Sequence, residues 1–310
     1  MSLEQDPKAT QPGTDPPVPG LPHLLQPGLV RLLAPNPSAM TLHGTNSYIL
    51  GGRNLCIIDP GPDDPAHLAA LLHVIDGRTV SHIIVTHSHL DHSALAPHLS
   101  QATGAPVLGF GNSASGRSAI MRQVFGSGVA TTGEGVDADF APDQTLPDRA
   151  IIATDDWQLQ AIHTPGHFGN HLCLRWGNAI FSGDHVMGWA SSLVSPPDGD
   201  LTDFIASCRK MRSQGAAILY PGHGDPVPDP LARIDWLIAH RAAREAQILA
   251  QLQLGPQTVG GLTNTIYIDT PAALHPAAAR NVFAHLIDLV GRNLARPEPA
   301  LQINARFHPR

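Results

Sequence analysis

Thr86-His87-Ser88-His89-Leu90-Asp91-His92 places three imidazoles and a carboxylate within six residues. The string follows Ser81-His82-Ile83-Ile84-Val85, whose length and branched apolar side chains suit a buried strand, so the donors stand where strand passes into loop. A metal ion needs several lone-pair donors converging on one point. Along an extended backbone His87 and His89 share a side, and Asp91 and His92 then turn onto the following helix. The competing reading, a solvated polar turn, gives no reason for so many histidines in so short a stretch.

Three further elements end in the same way. His163-Thr164-Pro165-Gly166-His167 closes one expected strand, Phe181-Ser182-Gly183-Asp184-His185 a second and Tyr220-Pro221-Gly222-His223-Gly224 a third. A Gly-His pair alone is more often a turn than a ligand. Four donor-bearing strand ends in order along one chain are a combined signal.

Working outward, Asn46 to Leu50 and Leu55 to Asp59 read as strands around the Gly51-Gly52 turn. Asp63 and Asp64 cap a helix carrying Leu68, Leu71, Leu72 and Ile75 and ending at Gly77; another helix starts near Ser93, and a strand lies at Val107. Residues 111–136 read as a loop-bearing insertion with one helix, Ala119 to Phe125. Strands follow at Trp157 to Ile162, His171 to Trp176, Ala179 to Ser182 and Ala217 to Tyr220, with a helix from Thr202 to Ser213 before the last. This order predicts an α/β fold, two mixed sheets packed together with helices outside. After Pro228 the character changes to long helices, Pro230 to Leu254 and Pro276 to Val290, with a wing strand at Leu301 to Ala305. The division expected is a Pro-rich leader (1–27), a catalytic domain (28–228) and a mainly helical C-terminal domain (229–310).

Composition narrows the function classes. The 310 residues carry 18 histidines, nearly as many as Lys and Arg together, and histidine is the commonest metal ligand. The net charge of −7 argues against a strongly electrostatic nucleic-acid binder, although residues 229–310 carry 8 basic and 6 acidic groups, net +2. No apolar run reaches the length of a membrane span, and the N-terminus lacks the pattern of a signal peptide. Cys56, Cys173 and Cys208 stand far apart, without a disulfide or zinc-finger spacing; the last two read as small core residues. A cytoplasmic enzyme with no membrane partner is the expectation, with oligomeric state open.

The donor set resembles the metallo-β-lactamase superfamily, whose pattern is HxHxDH, then His, Asp and His; the match covers about residues 41–228. The resemblance implies an αββα sandwich and a dinuclear centre: His87, His89 and His167 on a first metal, Asp91, His92 and His223 on a second, and Asp184 bridging. It implies two Zn2+ ions, with Mn2+ or Fe2+ as alternatives, and a bridging hydroxide that attacks an ester, thioester or phosphodiester. Asp91 and Asp184 are then the catalytic carboxylates, Asp91 passing a proton to the leaving group. Phe168 departs from the family string, which usually has threonine there.

Softer strings, Leu42-His43-Gly44-Thr45-Asn46-Ser47-Tyr48, His240 to Leu249 and Leu274-His275-Pro276, resemble the lactamase-β-2-type subgroup with a C-terminal winged-helix-like domain. That resemblance brings in single-stranded RNA as a substrate, with Arg241 and Arg244 expected on the phosphate backbone. Hydrolysis of a thioester, ester or lactone in the manner of glyoxalase II stays open beside it. The full ligand set weighs against an iron-dependent oxidoreductase and against a non-catalytic binding module, and the missing export signal against an antibiotic-degrading lactamase. Of the other histidines, His82 and His163 read as packing residues, His98 and His240 as surface groups, and His171 and His185 remain open.

Overall fold

Leu55-Cys56-Ile57-Ile58 and Ile83-Ile84 lie side by side as parallel strands inside the first sheet, fully buried. Continuous apolar runs of this kind belong to strands covered on both faces. The computed structural model describes residues 17–128, 133 and 135–310. Its first half runs β1 (Pro22–Gln26), β2 (Leu29–Leu33), β3 (Asn46–Leu50), β4 (Asn54–Ile58), α1 (Pro65–Ile75), β5 (Thr79–Ile84), α2 (Leu90–Ser93), α3 (Ala96–Thr103), β6 (Val107–Gly109), α4 (Ala119–Gly126) and β7 (Gln144–Thr145). These strands form one sheet in chain order, antiparallel from β1 to β4 and parallel from β4 to β7.

The second sheet holds β8 (Ile151–Ala153), β9 (Gln158–His163), β10 (Leu172–Trp176), β11 (Ala179–Gly183) and, after α5 (Leu201–Arg212), β12 (Ile218–Pro221). Its order is β12-β11-β10-β9-β8, and only β11 and β12 run parallel, as the crossover through α5 requires. Tyr48, Ile58 and Ile84 of one sheet meet Leu159, Leu172, Leu174 and Phe181 of the other in a closed core. Truncating one of these leucines to alanine is worth about 2–5 kcal/mol. α1 and α3 cover the outer face of the first sheet, and α5 and the start of the next helix cover that of the second. This is the predicted sandwich. Its helices start where carboxylates accept from free N–H groups: Asp64 from His67, Asp200 from Thr202 and Asp203, and Asp229 from Ala232.

The chain ends in α6 (Pro230–Gln253), β13 (Gln257–Thr258), α7 (Val259–Ile266), α8 (His275–Gly291), β14 (Ala295–Glu298) and β15 (Arg306–Pro309). Three helices and a three-stranded sheet ordered β13-β15-β14 give the winged-helix arrangement. α6 serves two cores: Ile234 and Leu237 pack beneath the second sheet, while Ile248 and Leu252 pack with α7, α8 and α4. Among the described residues no helix is long and apolar enough to cross a membrane.

Local expectations needed correction in four places. β1 lies inside the stretch read as a leader and pairs with β2; its prolines hid a short edge strand, and residues 1–16 lie outside those described. The wing strand expected at 301–305 is the connection between β14 and β15, which themselves contain Pro297 and Pro309. The helix expected from Ser93 begins earlier, at Leu90, in two pieces. His240 is half-buried rather than on the surface, stacked on Trp236 at 4.9 Å.

Candidate metal centre

The ends of β5, β9, β11 and β12 meet at one edge of the sandwich, bringing the seven candidate ligands together in two groups. His87, His89, His167 and Asp184 offer atoms within 4.8 Å of one another, and so do Asp91, His92 and His223. His87 Nε2 lies 2.8 Å from His89 Nδ1, which lies 3.1 Å from His167 Nε2. Asp184 sits between the groups: its Oδ2 is 3.7 Å from His167 Nε2 and 3.3 Å from His223 Nε2. His89 and Asp91 are half-buried and flank the exposed Leu90, whereas the other five are buried, so the centre opens on the His89–Asp91 side.

The outward-facing nitrogens show how the rings are aimed. Thr86 Oγ1 donates to Asp59 Oδ2 at 2.9 Å, so at 3.0 Å it accepts from His87 Nδ1–H, leaving the Nε2 lone pair pointing inward. His92 Nδ1 donates to Asp59 Oδ2 (2.9 Å), His167 Nδ1 to the Leu193 carbonyl (2.7 Å) and His223 Nδ1 to the Gly44 carbonyl (3.1 Å). Four rings thus present Nε2 to the centre, with Nδ1 held by protein oxygen, the usual orientation of a metal-ligating histidine. His89 is the exception and presents Nδ1.

Glycines make room for the site. A Cβ on Gly222 would stand 2.4 Å from Asp184 Oδ1 and 2.6 Å from the His92 ring. Gly166, at φ +142°, lies so close to α5 that a Cβ would meet the Phe204 backbone at 2.3 Å.

Electrostatics divides the histidines. Burial holds His87 well below the usual imidazole range and pushes His89 down to about 3, His92 and His167 adding repulsion. Burial also opposes protonation of His223 and His92, but the carboxylates of Asp184 and Asp91 outweigh it, raising His223 to about 10 and His92 well above its ordinary value. Burial opposes the ionised form of Asp184, yet His223 and His92 hold it well below the carboxylate range. Neutral His87 and His89 thus stand beside carboxylates that His92 and His223 hold ionised, and Asp184 Oδ1 is buried without a hydrogen-bond partner. Imidazole and carboxylate donors converging in two groups, with protonated His92 and His223 meeting the charge that a metal ion would meet, fit metal ions.

The neighbouring residues sort clearly. His171 Nε2 accepts from Asp184 N–H at 3.2 Å, and its Nδ1 donates to Thr164 Oγ1 at 2.9 Å; this ring supports the Asp184 backbone. His185 is buried against Phe204, with neither ring nitrogen bonded. Phe168 is buried edge-on to His89, centroids 5.0 Å apart. His163 stacks on Phe110 at 3.7 Å and His82 meets Trp157 edge-on, both packing roles as expected. His98 is exposed beside Asp63. Asp59, Leu193 and Thr45, whose hydroxyl bonds Asp91 Oδ2 at 3.1 Å, were not singled out by sequence reasoning. Asp59 lies in Asp59-Pro60-Gly61 just past β4, with φ +52°, and no pattern in the sequence around it marks the contacts it makes.

Known proteins give the same outline. Residues 40–223 match the metallo-beta-lactamase superfamily, and residues 258–300 the beta-lactamase associated winged helix domain. The chain is 31% identical over 277 residues to a beta-lactamase-like protein 2 homolog of Drosophila melanogaster, covering 84% of this chain and 87% of that protein. It is 33% identical over 246 residues to an atrochrysone carboxyl ACP thioesterase of Aspergillus fumigatus, covering 76% and 69%. A metallo-beta-lactamase family protein from Thermus thermophilus superposes with a TM-score of 0.73 at 25% identity, over 93% of this chain and all of that one.

Proposed function

This chain belongs to the metallo-beta-lactamase superfamily, and we propose that it is a dinuclear zinc hydrolase of thioesters or related activated esters. The observation that carries the reading is the convergence of two donor groups on Asp184, which stands between them. His87 Nε2, His89 Nδ1, His167 Nε2 and Asp184 would hold one ion; Asp91, His92, His223 and Asp184 the other. When bound, such ions supply water activated at neutral pH and Lewis-acid stabilisation of charge developing on the attacked group.

The chain's own residues do the rest. Asp59, Thr86, Leu193 and Gly44 fix the rings, so little reorganisation is needed as charge develops. Asp91 is half-exposed at the opening, and Thr45 Oγ1 anchors its Oδ2. In this reading Asp91 carries a proton to the departing thiol or alcohol. Leu90, 46% exposed beside it, offers apolar surface to an acyl chain. The thioester preference is supported by the name of the Aspergillus relative.

The division at 228/229 into a catalytic domain, which β1 extends back from residue 28 to Pro22, and a C-terminal domain (229–310) is part of this reading, with the second restricting access to the first. The test is metal quantification on the purified protein together with a panel of acyl thioesters, lactones, β-lactams and single-stranded RNA. Two zinc ions per chain and thioester turnover are expected. One iron and no zinc would overturn the metal reading, and turnover of RNA alone the substrate reading.

A further inference from the structure

The loop from Asp184 to Asp200, between β11 and α5, holds a candidate ligand at its first residue and the Leu193 carbonyl that orients His167. Its opposite side is fastened to the C-terminal helices. Arg233 on α6 donates to the carbonyls of Met187 (2.7 Å) and Ala190 (2.8 Å). Arg241, further along α6 and almost fully buried, donates to the Ser192 carbonyl and, at 3.0 Å, to Asn281 Oδ1 on α8. The same Asn281 oxygen accepts from Val194 N–H at 3.0 Å.

The geometry at Leu193 is the telling point. The Leu193 carbonyl and the Val194 N–H are the two poles of one planar peptide unit and point in opposite directions. One pole accepts from His167 Nδ1–H, and the other donates to Asn281. Fixing either end fixes the other. Arg241, bonded to both Ser192 and Asn281, sets the residue before this plane and the amide that receives it.

We propose that Asn281 and Arg241 are positioning residues of the metal centre, acting on His167 through the Leu193–Val194 peptide. The proposal rests on the reading of His167 as a ligand and gives the C-terminal helices a specific duty toward the site. Arg241 is thereby occupied inward and is not a phosphate contact, contrary to the sequence expectation. Arg244 donates to the Ile266 carbonyl and to Gln247 within the C-terminal region and, among the described residues, has no hydrogen bond to the loop.

The experiment compares wild type, Asn281→Ala, Asn281→Asp and Arg244→Ala by zinc affinity in chelator competition, by the visible spectrum of the cobalt-loaded protein and by the Tm of the metal-free protein. Removing a partner that orients a ligand typically weakens metal binding 10–100-fold. Asn281→Ala should weaken one of the two ions about tenfold and alter the cobalt spectrum. Asn281→Asp, which retains an acceptor oxygen, should restore both, and Arg244→Ala should lower Tm alone. Where alanine disturbs packing, Asn281→Leu keeps the volume without the oxygen. Wild-type affinity and spectrum in both Asn281→Ala and Asn281→Leu overturn the proposal, as does equal weakening in Arg244→Ala. A wild type that takes up no metal overturns the hydrolase reading as well, which separates the two failures.

Discussion

Asp59 Oδ2 lies 2.9 Å from His92 Nδ1, and the same carboxylate takes both the amide and the hydroxyl of Thr86, at 2.7 and 2.9 Å. One buried carboxylate therefore aims two candidate ligands, His92 directly and His87 through the Thr86 hydroxyl. Asp59→Asn would turn an N–H group toward a donor on at least one side. Zinc affinity is expected to fall about 10–100-fold with the fold retained. Chelator competition measures it, and unchanged affinity would remove Asp59 from the orienting set.

How much of this was legible in the sequence depends on whether a residue's partner is near it in the chain. The string from His87 to His92 carries its own context, and His167, Asp184 and His223 each follow a strand and sit next to glycine. Asp59 meets Thr86 and His92 27 and 33 residues away, and nothing around it announces either. Leu193 acts through its backbone, which has no side-chain signature. Arg241 misled in another way: its charge is visible in sequence and its direction is not. Arg233 and Arg241 face inward, where carbonyl oxygens compensate the buried guanidinium.

Asp184→Asn removes the anionic oxygen between the two donor groups. Turnover should fall at least 100-fold, about 2.7 kcal/mol or more of lost transition-state stabilisation. Zinc content should drop from two toward one. Elemental analysis paired with steady-state kinetics tests this. A variant that keeps both ions and near-normal turnover would show that Asp184 does not hold them together.

Arg280 offers a test of substrate charge. Its Nη1 donates to Ser195 Oγ at 2.8 Å, on the loop that orients His167, and no carboxylate pairs with it among the described residues. A thioester carrying an anionic carrier group would find a cation there. Arg280→Gln is expected to raise KM about tenfold for such a substrate, near the ~1.5 kcal/mol of a charge-assisted hydrogen bond, with kcat unchanged. Kinetics on matched charged and uncharged thioesters decide it; equal effects on both would deny Arg280 that contact.

His285 contributes to acid stability. It is buried on α8 with neither ring nitrogen bonded, and burial, with Arg241 nearby, pushes it down to about 3 from an ordinary 6.5. The folded state thus binds fewer protons than the unfolded one. The stability linked to this ring is fully present above pH 6.5 and is lost as pH falls toward 3, at up to about 1.4 kcal/mol per pH unit. His285→Leu removes the site and sacrifices no hydrogen bond. In metal-free protein, the variant's Tm should gain on the wild type by the equivalent of about 2 kcal/mol between pH 6.5 and 5. The other buried histidines titrate alike in both proteins and cancel. Calorimetric Tm curves that stay parallel across that range would mean that His285 accepts its proton without unfolding the chain.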